Sequence, residues 1–232
     1  MHPQLAIDLQ QAIQYFQNGK LGEAELLLKR VLLIDSKCLP ALHILGLVKA
    51  SQGNNAEAVN FLKKAVRIDA NDASLQYNLA NALAEAGLDA DSLPHYKKAI
   101  DLAPGNQDAY LNYGKSLSKL NRHQEALAIY ERATPINPLN TGLLLNKSIA
   151  YQKLGHLDDA LKLAEEALAI HPESLDALLN KGVLLKQMNR FDEALITYDK
   201  ALGLNPQFAD AWFNRANALN DLRRLEEASQ SY

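Results

Sequence analysis

Five of the 19 asparagines in this chain fall at one phase of a 34-residue period: Asn78, Asn112, Asn146, Asn180 and Asn214. A carboxamide offers donors and an acceptor together, so it can pair with a peptide group whatever side chain that group carries. Asparagine is a poor interior helix residue, and no single helix needs one at this place. The column therefore has another cause. One candidate is a ladder that holds an extended polypeptide by its backbone. The other is a set of hydrogen bonds within the scaffold itself.

The period that spaces the column also defines the elements beneath it. Six complete windows begin at Leu5, Leu39, Ala73, Gln107, Thr141 and Leu175 with no insertion or deletion, and a partial seventh runs from Ala209 to Tyr232. The eighth position reads Ala12, Gly46, Ala80, Gly114, Ser148, Gly182, Ala216; the twentieth reads Ala24, Ala58, Ser92, Ala126, Ala160, Ala194, Ala228. Both columns hold only small residues, which lets helix backbones approach closely. Such a period predicts a solenoid whose units bury their apolar faces against neighbours. In the sixth window two amphipathic stretches, LDALLNKGVLLKQ and DEALITYDKALGL, flank the turn MNRF. Pro104, Pro138, Pro172 and Pro206 close the second stretch at position 32, where the first two windows carry Ser36 and Ala70. The expected architecture is all-α, with about fourteen helices. It is read as a single solenoid over 1–232, with repeats 5–38, 39–72, 73–106, 107–140, 141–174 and 175–208 and a partial one over 209–232.

Three further columns complete the pattern: alanine at position 27 (Ala65, Ala99, Ala133, Ala167, Ala201), tyrosine at 24 (Tyr96, Tyr130, Tyr198, Tyr232) and the prolines at 32. Together they resemble the tetratricopeptide repeat (TPR), from Leu5 to Tyr232. The resemblance implies a right-handed superhelix of antiparallel helix pairs that binds protein or peptide. It implies that the first helices line the concave face, with positions 2, 5, 6, 9, 12 and 13 inward, so the asparagine column at position 6 is similar to the ladder in the TPR arms of O-GlcNAc transferase-like proteins. Among the flanking inward residues Tyr77 and Phe213 are candidates for apolar pockets, and Asn81, Lys115 and Asn217 complete the candidate ligand-binding set. Isolated charges such as Glu85, Asp108 and Lys153 are expected to be solvated rims. The carboxylate clamp of chaperone-tail binding repeats is excluded, because Tyr77, Gly142 and Asn146 stand where its cations belong.

Several departures carry their own expectations. Position 7 changes from Leu45, Leu79 and Tyr113 to Lys147, Lys181 and Arg215, whose stems should pack while their charged ends reach water. Pro94, inside the second helix of the third repeat, should kink that helix or delay its start, and Thr134-Pro135 should end the next second helix early or irregularly.

Composition bounds the rest. A net charge of −3 with no run of Lys and Arg argues against nucleic acid or membrane as partner. The lone Cys38 allows no internal disulfide and reads as a small buried thiol. The opening MHPQLAIDLQQAI has neither a basic leader nor an apolar core, so a cytoplasmic protein is expected. The six histidines (His2, His43, His95, His123, His156, His171) are scattered over different repeats, and no metal-ligand, phosphate-loop or nucleophile motif appears. The chain is read as carrying no catalytic residue, no metal and no cofactor, with its carboxylates on turns and outer faces. Two other roles stay open because the chain stops midway through a second helix at Tyr232. One is that of the amino-terminal, substrate-recruiting arm of a larger glycosyltransferase-like enzyme. The other is self-association, with Leu219, Leu222, Leu225 or Tyr232 buried against another chain.

Overall fold

Repetition of one helical period over the chain becomes repetition of one helix pair. The computed structural model describes residues 3–231, so Tyr232 and His2 lie outside it. The first helices are α1 (Pro3–Gln17), α3 (Leu39–Ser51), α5 (Ala73–Glu85), α7 (Gln107–Lys119), α9 (Thr141–Lys153), α11 (Leu175–Gln187) and α13 (Ala209–Asp221). The second helices are α2 (Leu21–Ile34), α4 (Asn55–Ile68), α6 (Asp89–Leu102), α8 (His123–Ala133), α10 (Leu157–Ile170), α12 (Phe191–Leu204) and α14 (Leu225–Ser231). No strand occurs among the described residues.

Local chemistry sets both ends of the first helices. Asp72, Asn106, Asn140 and Ser174, one residue before their helices, accept from the backbone N–H of Leu75, Ala109, Leu143 and Ala177. These bonds satisfy donors that the first turn leaves without partners. At the other end the fifteenth residue of every repeat is left-handed: Gly19, Gly53, Gly87 and Gly155 at φ of 72–83°, and Asn121, Asn189 and Arg223 at 59–60°. The next N–H then bonds back five residues, Asn54 to Lys49 at 2.9 Å and His156 to Tyr151 at 3.0 Å, and the chain reverses.

The small columns do what their size allows. Every residue at positions 8 and 20 is buried. A methyl group built on Gly46 would stand 2.6 Å from Leu62 Cγ, and one on Gly182 would stand 2.3 Å from Tyr198 Cε1. Leu62 and Tyr198 both occupy position 24 of the same repeat, so a large residue there fills the space that position 8 leaves. Cys38 is buried with a free thiol.

Contacts group the chain into two compact units, residues 1–120 and 121–232. In the first unit α1 touches α3, α3 touches α5 and α5 touches α7; in the second, α9 touches α11 and α11 touches α13. No second helix of a unit touches another second helix among the described residues. Each unit therefore curves with its first helices on the inner side.

Four expectations need correction. Pro94 does not delay α6, which spans the same 14 residues as α4. The missing N–H costs a single bond to residue 90, while the buried Leu93 and Tyr96 on either side hold the helix in place. Charged ends at position 7 do not all run to water: Lys181 pairs with Glu165 at 2.8 Å and Arg215 with Asp199 at 2.6 Å, each carboxylate on the preceding second helix. Not every carboxylate is outward, because Asp8 is 2% exposed and paired with Arg30. Leu219 is already fully buried among Leu184, Leu185 and Tyr198 of its own fold, so it has no surface for another chain. By contrast α8 does end early, at Ala133, three residues short of its neighbours' length, and the Thr134 hydroxyl bonds to the Tyr130 carbonyl.

Candidate functional site

Position 6 lies on the first helices, and all five column asparagines are half-buried on them. Most of their amide nitrogens turn to the preceding first helix. Asn78 Nδ2 on α5 donates to His43 Nε2 on α3 at 2.8 Å. Asn112 Nδ2 on α7 donates to Tyr77 Oη and to Asn81 Oδ1 on α5, each at 3.1 Å. In the second unit Asn180 Nδ2 reaches Ser148 Oγ on α9 at 2.8 Å, and Ser148 in turn donates to the Ala160 carbonyl. Asn214 Nδ2 bonds within its own helix, to the Asp210 carbonyl at 2.8 Å. Asn146 makes no bond among the described residues.

None of the five Oδ1 atoms accepts a bond from the described residues, and none is sealed from solvent. The two causes weighed for the column thus share one side chain. In four of the five, nitrogen ties the scaffold while oxygen is left to water. His43 fits that division: burial pushes its pKa down, against the opposing pull of Asp72, so a neutral ring nitrogen accepts from Asn78.

Of the flanking candidates, Tyr77 is half-buried with its ring 6.3 Å from that of Tyr96, which lies 6.1 Å from Tyr113. Lys115 is exposed, Asn217 is half-buried and Phe213 is 57% exposed. A surface hollow of about 550 Å³ is lined by Gln11, Tyr15, Leu26 and Arg30 on α1 and α2, whereas the column occupies α5 and α7 in that unit. Among the described residues no cluster of His, Cys, Asp and Glu could hold a metal ion, and no helix is long and apolar enough to cross a membrane.

Profiles of the tetratricopeptide repeat match residues 71–138, 145–207 and 183–232, and a TPR repeat profile matches 46–87. The chain belongs to the tetratricopeptide repeat superfamily. Its fold is that of a TPR protein from Parabacteroides merdae, 17% identical, at a TM-score of 0.83 over 98% of this chain and 90% of that one. It is also similar to YrrB, described as a TPR protein with an unusual peptide-binding site, at 22% identity and a TM-score of 0.64 over 79% of this chain and 95% of that one. A thermophilic TPR protein from Thermus thermophilus is 25% identical, with a TM-score of 0.63 over 79% of this chain and all of its own. Comparison with curated proteins gives no significant match.

Within this TPR frame one polar cluster escaped sequence reasoning. Lys49 on α3 is 5% exposed and pairs with Glu25 at 2.8 Å and Glu57 at 3.1 Å. Hydrogen bonds from Lys29, Lys49 and Gln52 bring the Glu25 carboxyl down to about 2. The available signal was the lone lysine in the largely apolar helix LPALHILGLVKAS.

Proposed function

We propose that this TPR chain is a protein-binding scaffold that holds an extended polypeptide along the first helices, with the asparagine column contacting the backbone of its ligand. One observation carries the reading: on half-buried side chains of the inner helices, the five Oδ1 atoms are uncommitted and none is sealed from solvent. Such oxygens accept from peptide N–H groups without regard to side chain. YrrB, alike in fold, is described as having a peptide-binding site, which lends support. Residues 1–232 serve as one array in this reading, and Tyr77, Asn81, Lys115, Phe213 and Asn217 add a modest sequence preference. The working environment is the cytoplasm, the partner is protein or peptide rather than nucleic acid or membrane, and catalysis is left to other chains or domains.

The test is alanine substitution along the column, read by peptide titration and by melting. Each single replacement should weaken a bound, unstructured peptide by about 0.5–1.5 kcal/mol, the worth of one or two neutral hydrogen bonds. Asn146→Ala should do so with no change in melting, because that side chain ties nothing. Asn112→Ala should also lower the melting temperature, because it removes two scaffold bonds. A variant lacking Asn146, Asn180 and Asn214 should bind almost nothing; normal binding by that variant would sink the proposal.

A further inference from the structure

We infer that Asn81 and Asn112 together form a polarised receptor for the backbone C=O and N–H of one internal residue, which rejects a terminal carboxylate and a peptide nitrogen without hydrogen. This deepens the backbone-capture reading and rests on it. Asn112 has two amide hydrogens, and both are engaged, one by Tyr77 Oη and one by Asn81 Oδ1. Its Oδ1 is the end left over. Asn81 is the mirror case: its Oδ1 accepts from Asn112 Nδ2 at 3.1 Å and from Tyr96 Oη at 2.7 Å, so both lone pairs are used. Its Nδ2 has no partner among the described residues and is not sealed from solvent. The two carboxamides lie head to tail, with a free donor end on α5 and a free acceptor end on α7.

Neither carboxamide can reverse alone without conflict. Turning the Asn81 amide over by itself would set its N–H groups against the amide of Asn112, donor facing donor. Tyr96 is 1% exposed and stacked on Tyr113, so its hydroxyl stays where it is. A hydrogen-bonded chain of this kind polarises along its length, which strengthens both free ends. Their complement is one residue of an extended chain, whose own C=O and N–H point to the same edge: its C=O takes a hydrogen from Asn81 and its N–H gives one to Asn112. A carboxylate satisfies Asn81 but sets its charge against the Asn112 oxygen. Proline or an N-methylated residue has nothing to give Asn112. Position 9 is asparagine elsewhere only at Asn217, and Lys115, Ile149 and Val183 stand in the repeats between, so the pair belongs to the third and fourth repeats.

The experiment is a titration of the intact, isotope-labelled chain, followed by NMR at the side-chain amides of Asn81 and Asn112. Three probes are used: a capped, alternating glycine–serine peptide of about a dozen residues, the same peptide with sarcosine for glycine, and the same peptide with a free carboxyl terminus. The capped peptide should shift both amides. The sarcosine peptide should bind roughly fivefold weaker or worse, the loss expected for one neutral hydrogen bond. The free carboxyl terminus should give no gain over the capped peptide. Equal binding of the sarcosine peptide, tighter binding through the free carboxylate, or shifts confined to Asn180 and Asn214 would overturn the polarised pair and leave backbone capture standing. No shift at any column asparagine with any probe would overturn both.

Discussion

Arg223 occupies a backbone position that suits it poorly. At φ of 59° it takes the left-handed turn that glycine supplies in four other repeats and asparagine in two. An L side chain with a Cβ strains there, whereas glycine does not, and asparagine is tolerated through its short polar side chain. Arg223→Gly should therefore stabilise the α13–α14 pair by about 0.5–1 kcal/mol, the relieved strain exceeding the extra flexibility of the unfolded chain. Urea unfolding followed by circular dichroism checks this, and a destabilised variant would mean that the arginine side chain holds the turn by contacts that outweigh its strain. The same scale explains why the asparagine column resisted a single reading. Sequence identifies a carboxamide, but only its neighbours show which of its two ends is already engaged.

Between elements the question is how much room a helix leaves its partner. Gly46→Ala and Gly182→Ala place the same methyl group at equivalent positions of two repeats, but they meet different neighbours. Both neighbours are fully buried, but the first methyl meets Leu62 at 2.6 Å from Cγ and 2.9 Å from Cδ2, whereas the second meets three atoms of the Tyr198 ring at 2.3–2.8 Å. Gly182→Ala should cost about 1–3 kcal/mol from overpacking, and Gly46→Ala should cost less. Equal melting temperatures for the two variants would contradict this. Helix α6 offers the opposite test, because Pro94 is exposed and sits mid-helix without an N–H. Pro94→Ala restores one helical bond and should stabilise the protein by about 1–3 kcal/mol, visible as a higher melting temperature.

Acid should lower stability in two pH windows, because two kinds of group bind fewer protons folded than unfolded. Burial lowers the pKa of His43 and His95, so their neutral forms contribute stability above the ordinary value of 6.5, and that stability is lost as pH falls through their folded values. Glu25 moves from 4.5 to about 2 through its bonds to Lys29, Lys49 and Gln52, so its contribution is present above 4.5 and lost as pH falls toward 2. Glu25→Gln should be less stable than the parent at neutral pH, and its melting temperature should fall less steeply between pH 4.5 and 2. Parallel curves for parent and variant would show that Glu25 gains nothing from its partners in the fold.

Periodicity alone determined the helices, their order and their partners, because a residue that recurs every 34 positions meets the same neighbours in each repeat. The small columns and the early end of α8 were legible for that reason: each depends on chemistry within a few residues or on one repeated contact. What tertiary structure decided lies where repeats differ. Tyr96 finds Asn81 for its hydroxyl, whereas the equivalent Tyr198 has Val183 at that place and keeps a buried hydroxyl with no partner. Lys49 is buried because Glu25 and Glu57, on two separate helices, converge on it. The division of labour in the column, nitrogen to the scaffold and oxygen left over, depends for Asn78, Asn112 and Asn180 on side chains 31 to 35 residues away on the preceding first helix. A one-dimensional pattern can place such residues at the same phase, but the direction of a hydrogen bond is settled only when the groups meet in space.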